Sequence, residues 1–520
     1  MNERIGSGRR IGTFAVAALL ASGCAVGPSY RKPESALTAA FAGQTELSGR
    51  NPSAPAPELD RWWLGFEDPA LTNIVNRALA ENLDLAVAMA RVDQARAFAK
   101  GTGAARLANV SLDGQSVYQR QSLKSPEGEI ASALPGYDRN QTLGTLGVGA
   151  SWEADLAGGL RRGQEAALDE LQVAEAARTG ARISVAAEAA DAYFRVRGAQ
   201  RRIAVAEEQI RTQENLVALV QDRFSGGLAT NRELAQAQAL LLEARTTIPP
   251  LRTELAQQLN RLDVLMSAQP NTYAKALTAD NVDYKVPAIA ADISPTEMLR
   301  RRPDVIAAER RLAASNARIG VAIAEYYPKV SLAGLLGFDS LNSAAFSSAA
   351  FQPQALLGLH WRLFDFGRVD AEVGQAKGAY AQALAEYRQT MLRATEEVED
   401  AIVTLTQLEL QRAAVDKEIT AHRVARDAAQ DAYEGGAVSL IEVLDEDRQL
   451  LSARDQLALL DANDARAAVA TFRALGGGWE SASPRQAHES QSPQEKNGLM
   501  GEEYLFGDNQ AFMKQVGLAP

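Results

Sequence analysis

The chain has 520 residues, of which 46% are hydrophobic, 23% charged and only 6% aromatic, and its formal charge is −11. Such an acid-rich chain lacks the basic face of a nucleic-acid binder. A single cysteine excludes an intramolecular disulfide framework and any Cys-rich metal centre. The three histidines, His360, His422 and His488, share no ligand spacing. Beyond the first two dozen residues no apolar run reaches 18 residues, so any membrane-spanning role falls to strands.

In chain order, Arg4, Arg9 and Arg10 precede an apolar run over 11–20, which reads as a secretory signal peptide ending at 23. The stretch Ala21-Ser22-Gly23-Cys24 resembles a bacterial lipobox, which makes Cys24 the acylated first residue of the mature chain. Ala25 stands where inner-membrane retention usually shows Asp, so sorting favours the outer membrane. A linker over 24–66 leads to a predicted helical segment at about 70–103. Extended segments follow at 109–121 and 142–152, joined by a polar loop carrying Lys124, Glu127, Glu129 and Asp138. A proline-free run rich in strong helix formers covers 160–224, and at 1.5 Å per residue it makes a rod of about 100 Å. The Gly226-Gly227 turn and a helix over 231–266 complete a long hairpin, so the first unit spans 67–268.

A connector over 269–294, with Pro270 and Pro287, then leads to the same layout again. The second unit, 295–476, has a helix at about 296–325, strands at 329–339 and 351–363, a long helix over 368–433, the Gly435-Gly436 turn and a last helix over 439–475. The connector and the two termini are expected to form a belt around the helices, and the Ser-, Gln-, Glu- and Gly-rich tail over 477–520 reads as disordered.

The two units are copies. Leu83-Asp84-Leu85 and Arg91 recur as Pro303-Asp304-Val305 and Arg311, and Val110-Ser111-Leu112 recurs as Val330-Ser331-Leu332, all at an offset of 220. Trp152, Gly158, Glu188 and Gly226-Gly227 recur as Trp361, Gly367, Glu397 and Gly435-Gly436 at an offset of 209. The change of 11 falls in one loop, so the chain is a tandem duplication with a longer first-copy loop.

Between 351 and 363 the odd positions are Phe351, Pro353, Ala355, Leu357, Leu359, Trp361 and Leu363, whereas Gln352, Gln354, His360 and Arg362 fall at even ones. This period-2 pattern gives a strand with one apolar and one polar face. Each predicted strand has 10–13 residues, close to the roughly 9–11 that cross a bilayer when tilted. A soluble sandwich also accommodates such strands, and a coiled coil such helices. In lipid, however, an open sheet edge cannot be satisfied, so spanning strands must close into a barrel. Four strands per chain are fewer than the roughly eight of the smallest single-chain barrel, so several chains must share one. Three chains would supply twelve strands, with His360 and Arg362 facing the lumen and Leu359, Trp361 and Leu363 facing lipid.

At this point the residues resemble the outer-membrane factor (TolC-like) family, in the lipoprotein branch that serves resistance-nodulation-division efflux pumps. The resemblance rests on Cys24-Ala25-Val26-Gly27-Pro28-Ser29-Tyr30, on Trp62-Trp63, Phe66 and Asp68-Pro69, on Leu299-Arg300-Arg301-Arg302-Pro303-Asp304-Val305, and on Trp361 with Leu363-Phe364-Asp365-Phe366-Gly367-Arg368. It covers about residues 19–479. It implies a mainly helical protein with a membrane β-barrel, in which tandem long hairpins form a periplasmic helical barrel and four strands per chain build a twelve-stranded barrel in a homotrimer. It also implies a periplasmic membrane-fusion adaptor and an inner-membrane resistance-nodulation-division pump as partners, with no cofactor and no metal.

The family also points to particular residues. Acidic residues matching Glu442 and Asp445 ring the narrow periplasmic aperture, the residue matching Tyr433 helps latch it, and Val438 stands where relatives can carry a basic latch residue. The turns at Gly226, Gly227, Gly435 and Gly436 correspond to adaptor-docking tips. No Gly-rich phosphate loop, His-Glu-x-x-His or nucleophile constellation supports an enzyme. The rival readings are an outer-membrane duct for protein secretion and a non-channel coiled-coil lipoprotein.

Overall fold

The computed structural model describes residues 25–34, 40–50, 54–274, 277, 284–290, 294–341 and 347–480. Cys24, the signal segment and the chain beyond 480 lie outside the described residues.

A short helix α1 (Gln44–Ser48) is followed by a 3-10 helix, Leu59–Phe66, which buries Trp62, Trp63 and Phe66. Helix α2 (Pro69–Glu81) starts on Asp68, whose carboxylate accepts from the N–H groups of Ala70 and Leu71, with Pro69 at the first helical position. The single segment expected over 70–103 is in fact two helices. Asn82 takes an extended backbone and caps α3 (Leu83–Ala104) by accepting from the N–H groups of Asp84 and Leu85. Strand β1 (Asn109–Arg120), the loop helix α4 (Pro126–Ser132) and strand β2 (Asn140–Ala154) follow.

Helix α5 (Gly159–Ser225) runs 67 residues. The hairpin returns through α6 (Asn231–Thr246) and α7 (Ile248–Leu265), again two helices where one was expected. Pro249 and Pro250 have no N–H to donate, so the ladder is interrupted at Thr247.

In the second repeat, α8 (Pro295–Arg301) and α9 (Pro303–Ala324) are separated at Arg302, which precedes a proline and is extended. Strands β3 (Lys329–Leu341) and β4 (Phe351–His360) lead to α10 (Arg368–Glu434), also 67 residues, and to the unbroken α11 (Leu440–Ala474). The two long helices start alike: Asp155 accepts from the N–H groups of Leu160 and Arg161, and Asp365 from those of Gly367 and Val369.

The duplication is visible in one joint. Asn82 Nδ2 donates to the Leu265 carbonyl at 3.0 Å, and Arg302 Nη1 donates to the Ala474 carbonyl at 3.1 Å. Residues 82 and 302 are sister positions at the first offset, and 265 and 474 at the second. Each repeat therefore ties its broken first helix to the end of its own hairpin, with different side chains. Arg302 also holds Asp304 and Glu397 at 2.7 and 2.6 Å, so this one side chain ties the start of α9 to α10.

The main core lies where α5, α10 and α11 meet the 3-10 helix. Trp62 stacks on Phe472 with ring centres 5.5 Å apart, and Phe66 packs on Phe194 at 4.9 Å. Ala186, Ala189, Ala190 and Ala192 are fully buried there. A Cβ added at Gly198 would come within 2.7 Å of Ala462, so the helices approach too closely for larger side chains. Belt contacts join Ala54 to Pro287 as a parallel bridge, with Lys285 N–H donating to the Phe66 carbonyl. The chain stays packed later than 477, where the tail was expected to begin. Gly478 N–H donates to the Leu59 carbonyl, and Trp479 Nε1 donates to that of Arg301.

Candidate functional site

The four strands form one antiparallel sheet in the order β1-β2-β3-β4. Its register sorts the side chains into rows across both repeats. One row aligns Leu112, Val148, Leu336 and Pro353, and the next aligns Gly114, Leu146, Phe338 and Phe351. A further row sets Trp152 beside Leu332 and Leu357. The opposite face carries Ser111, Asp113, Gln115, Thr145, Asp339, Gln352 and Gln354, because successive side chains alternate. Leu112, Leu336 and Leu357 are 70%, 64% and 73% exposed, so the apolar face is left uncovered by the described residues.

The repeats are joined at β2 and β3, where Gly147 faces Gly337. A Cβ on either glycine would approach the other's Cα to about 3 Å, so this crossing excludes side chains. At the end of the sheet two tryptophans mark the same level. Trp152 Nε1 donates to the Arg106 carbonyl at 3.1 Å, and its sister Trp361 donates to that of Tyr326 at 2.9 Å. Both rings stay partly exposed, as do Tyr326 and Tyr327, while Phe364 and Phe366 are fully outward. Amphipathic aromatics with a satisfied polar end suit a membrane–water boundary.

The alternation read to Leu363 overshoots the strand. Strand β4 ends at His360, because Trp361 turns its indole to Tyr326 and the chain bends toward α10. Arg362 therefore lies beyond the sheet, ion-paired to Glu325 and Glu372 at 3.1 Å each. His360 remains within the sheet, opposite Lys329.

The other candidate site is at the hairpin turns. Gly227 and Gly436 both have positive φ (70° and 76°), which lets the chain reverse directly after each long helix. Thr230 and Glu233 form a reciprocal capping box that starts α6. The two tips pack together through Leu216, Val220, Leu234, Tyr433, Leu440 and Val443.

Tyr433 is 4% exposed, and its hydroxyl is buried with no hydrogen-bond partner among the described residues. Burial raises its pKa, partly offset by the Arg223 charge, so the phenol stays neutral. The Arg223 guanidinium lies 4.6 Å over the Tyr433 ring and donates to the Tyr433 and Glu434 carbonyls at 3.3 and 3.4 Å. Val438 packs against this cluster as an apolar residue. The cation that reaches Tyr433 thus comes from the end of α5 rather than from position 438.

Glu442 and Asp445 are exposed and share one face of α11, away from the buried Tyr433. Asp445 makes only a long contact with Arg448, at 4.0 Å. Sequence reading missed Asp447, which points inward and is held by Arg426 at 2.9 Å and Gln213 at 3.2 Å. Among the described residues no group of acidic, histidine or cysteine side chains has the geometry of a metal site.

Open sheet edges, an uncovered apolar face and paired long helices define a subunit of a membrane duct. The sequence profile of the outer membrane efflux protein family matches residues 74–268 and 295–477, and the chain belongs to that family. It is 33% identical over 424 residues to the pyoverdine export outer membrane protein OpmQ of Pseudomonas putida, covering 82% of this chain and 89% of that one. It is 28% identical over 468 residues to the cation efflux system protein CusC of Escherichia coli, covering 89% and 97%. Its fold matches the solved outer-membrane channel OprN with a TM-score of 0.78 at 32% identity, over 88% of this chain and all of that one. The chain is an outer-membrane efflux channel of helical-barrel-and-strand architecture, and its family comprises transport channels rather than enzymes.

Proposed function

We propose that three copies of this chain form the exit duct of a tripartite efflux pump, carrying small toxic molecules from an inner-membrane pump through a periplasmic adaptor to the exterior. The observation that carries this reading is the sheet: an exposed apolar face on four strands whose outer edges, β1 and β4, have no partner strand among the described residues. Lipid covers such a face only if the edges pair, and sister subunits supply the missing strands. A non-channel coiled-coil lipoprotein has no use for that face.

Cys24 acylation fits the same arrangement. The residues after it are pinned where β2 passes into α5: Val26 N–H donates to the Ala157 carbonyl at 2.9 Å, and Arg162 donates to the carbonyls of Val26 and Gly27. Gly27 lies against Gly320, where an added Cβ would meet backbone at 2.6 Å. An acyl chain on Cys24 would add membrane affinity of roughly 0.8 kcal/mol per buried methylene. The paired turns at Gly226-Gly227 and Gly435-Gly436 would be the adaptor-docking end.

Planar-bilayer recording is expected to show discrete conductance steps, and deletion of the gene is expected to sensitise cells to small toxic compounds while polypeptide secretion continues. Loss of a secreted protein without sensitisation would instead favour the secretion duct. The relatives' names give pyoverdine for one and cations for another, so cargo varies within the family.

Two further results are expected. Spin labels at Leu357 and Leu359 should report lipid and a label at His360 water, since they alternate on β4. In the trimer, Glu442 and Asp445 place six carboxylates at the tip, which attract cations. Glu442→Gln with Asp445→Asn should therefore abolish cation block of single-channel current, and block that survives both changes would remove the acidic ring from the aperture.

A further inference from the structure

The duplication extends to how elements pair. Carried across by the two offsets, the β1–β2 pair of Asn109 with Ser151 becomes Lys329 with His360, which is the pairing that β3 and β4 make. Helices follow the same rule: α3 packs on α5, and its sister α9 packs on α10. Two junctions lack a sister within the chain. Strand β2 pairs with β3 across the repeats, whereas β4 and β1 are the outer strands of the sheet. Helix α9 also packs on α5, yet no comparable packing of α3 on α10 occurs among the described residues.

We propose that a neighbouring copy of this chain completes both junctions, its β1 pairing with β4 in the sister register of β2 on β3 and its α3 lying on α10. The proposal rests on the duct reading above and adds to it which surfaces meet. The offsets turn Ser151 opposite Ala333 in the β2–β3 crossing into His360 opposite Asp113 of the neighbouring copy.

The side chains favour this register. A neutral pair has been replaced on both sides at once by a base and an acid, which attract across a strand pair. Lys329, which faces His360 from β3, is already held by Glu325 at 2.6 Å. On the apolar face, Leu359, Leu357 and Tyr118 would fall opposite Gly114, Ser116 and Ala355, each large side chain against a small one. A slip of one residue would set apolar positions against polar ones. A slip of two would move His360 to Ser111 or Gln115.

The helices agree. Where α9 lies on α5, Arg310 pairs with Asp169 at 3.5 Å and Arg318 with Glu170 at 2.8 Å. The sister positions hold Ala90 with Gly378 and Phe98 with Ala379. Both members of each ion pair are absent together, as expected of surfaces that meet. Phe98 is 66% exposed, and a Cβ added at Gly374 or Gly378 meets nothing within 4 Å, so α10 leaves room for a second helix. Leu83 is exposed where its sister Pro303 is buried. The junction between copies is thus apolar where the junction between repeats is ionic, and a head-to-tail contact of this kind can close into a ring.

The test is oxidative crosslinking of the full-length protein in membranes, read by denaturing electrophoresis. Directly opposed residues of an antiparallel pair have Cα atoms about 4.5–5.5 Å apart, within disulfide reach. Asp113→Cys with His360→Cys is expected to give covalent dimers and trimers. So is Leu83→Cys with Gln389→Cys, because at their sister positions a Cβ added to Gly180 lies 3.7 Å from the Pro303 Cβ. Asp113→Cys with Gln354→Cys should give none, since that partner lies about 20 Å further along the strand. The four single variants, each retaining Cys24, set the baseline. Crosslinks from the 113/354 pair, or from neither opposed pair in a protein that sediments as a trimer, would overturn the junction and leave the duct standing. A protein that sediments as a monomer in detergent would overturn both.

Discussion

Trp62→Ala is expected to lower stability by about 3–5 kcal/mol, seen as a drop in Tm of several degrees, since the cost is transfer of a large ring plus the cavity left behind. Trp62 is fully buried, stacks on Phe472 within 8° of parallel, and meets Trp63 and Phe66 edge-on. It comes from the belt, whereas Phe472 comes from the last turns of α11, so the ring joins the N-terminal segment to the end of the second hairpin. Trp62→Phe should cost much less, because the indole N–H has no acceptor and its loss removes an unpaired donor. Equal losses from the two substitutions would show that a stacked six-membered ring does not replace the indole and that the full indole holds the belt.

Arg223→Ala is expected to raise the open probability of the channel by about tenfold, equivalent to about 1.4 kcal/mol, which is within the range of one desolvated cation–π contact. The guanidinium bridges the end of α5 to Tyr433 at the end of α10 and therefore clamps one tip to the other. Arg223→Lys should restore little, because an ammonium cannot lie flat on the ring while donating to two carbonyls. Tyr433→Leu removes the π face but keeps the carbonyl, and a double-mutant cycle separates the two contributions. An open probability unchanged in both single variants would place the closing force elsewhere.

Much of the architecture was legible from the sequence because its signals are long. The ends of both 67-residue helices fall within a residue or so of the expected 160–224 and 368–433, since proline-free runs end at paired glycines. The breaks at Asn82 and Thr247 were missed. A capping asparagine competes with the helix locally, and the Pro249-Pro250 pair was passed over within a strong helical pattern.

The apolar face of the sheet was only partly legible. Strand β1 alternates weakly, with Gly114 and Ser116 among its apolar positions, and only register shows Leu112 continuing a row through Val148 to Leu336. Arg223 was one arginine among many on α5, and a basic residue in a helix's last turn is the one signal that could have singled it out. Asp447 carries no distinguishing signal in the sequence, because the Gln213 that helps hold it comes from another element.

The interrupted return leg of the first hairpin has a geometric consequence. One arm of each subunit, α6 with α7, is interrupted just before a proline pair, while its twin α11 is continuous. Three such subunits arranged in a ring would present six arms of two alternating kinds, so a pore entrance built from them would have threefold rather than sixfold symmetry. Any partner that caps it must offer two distinct footprints, or else bind only every second arm.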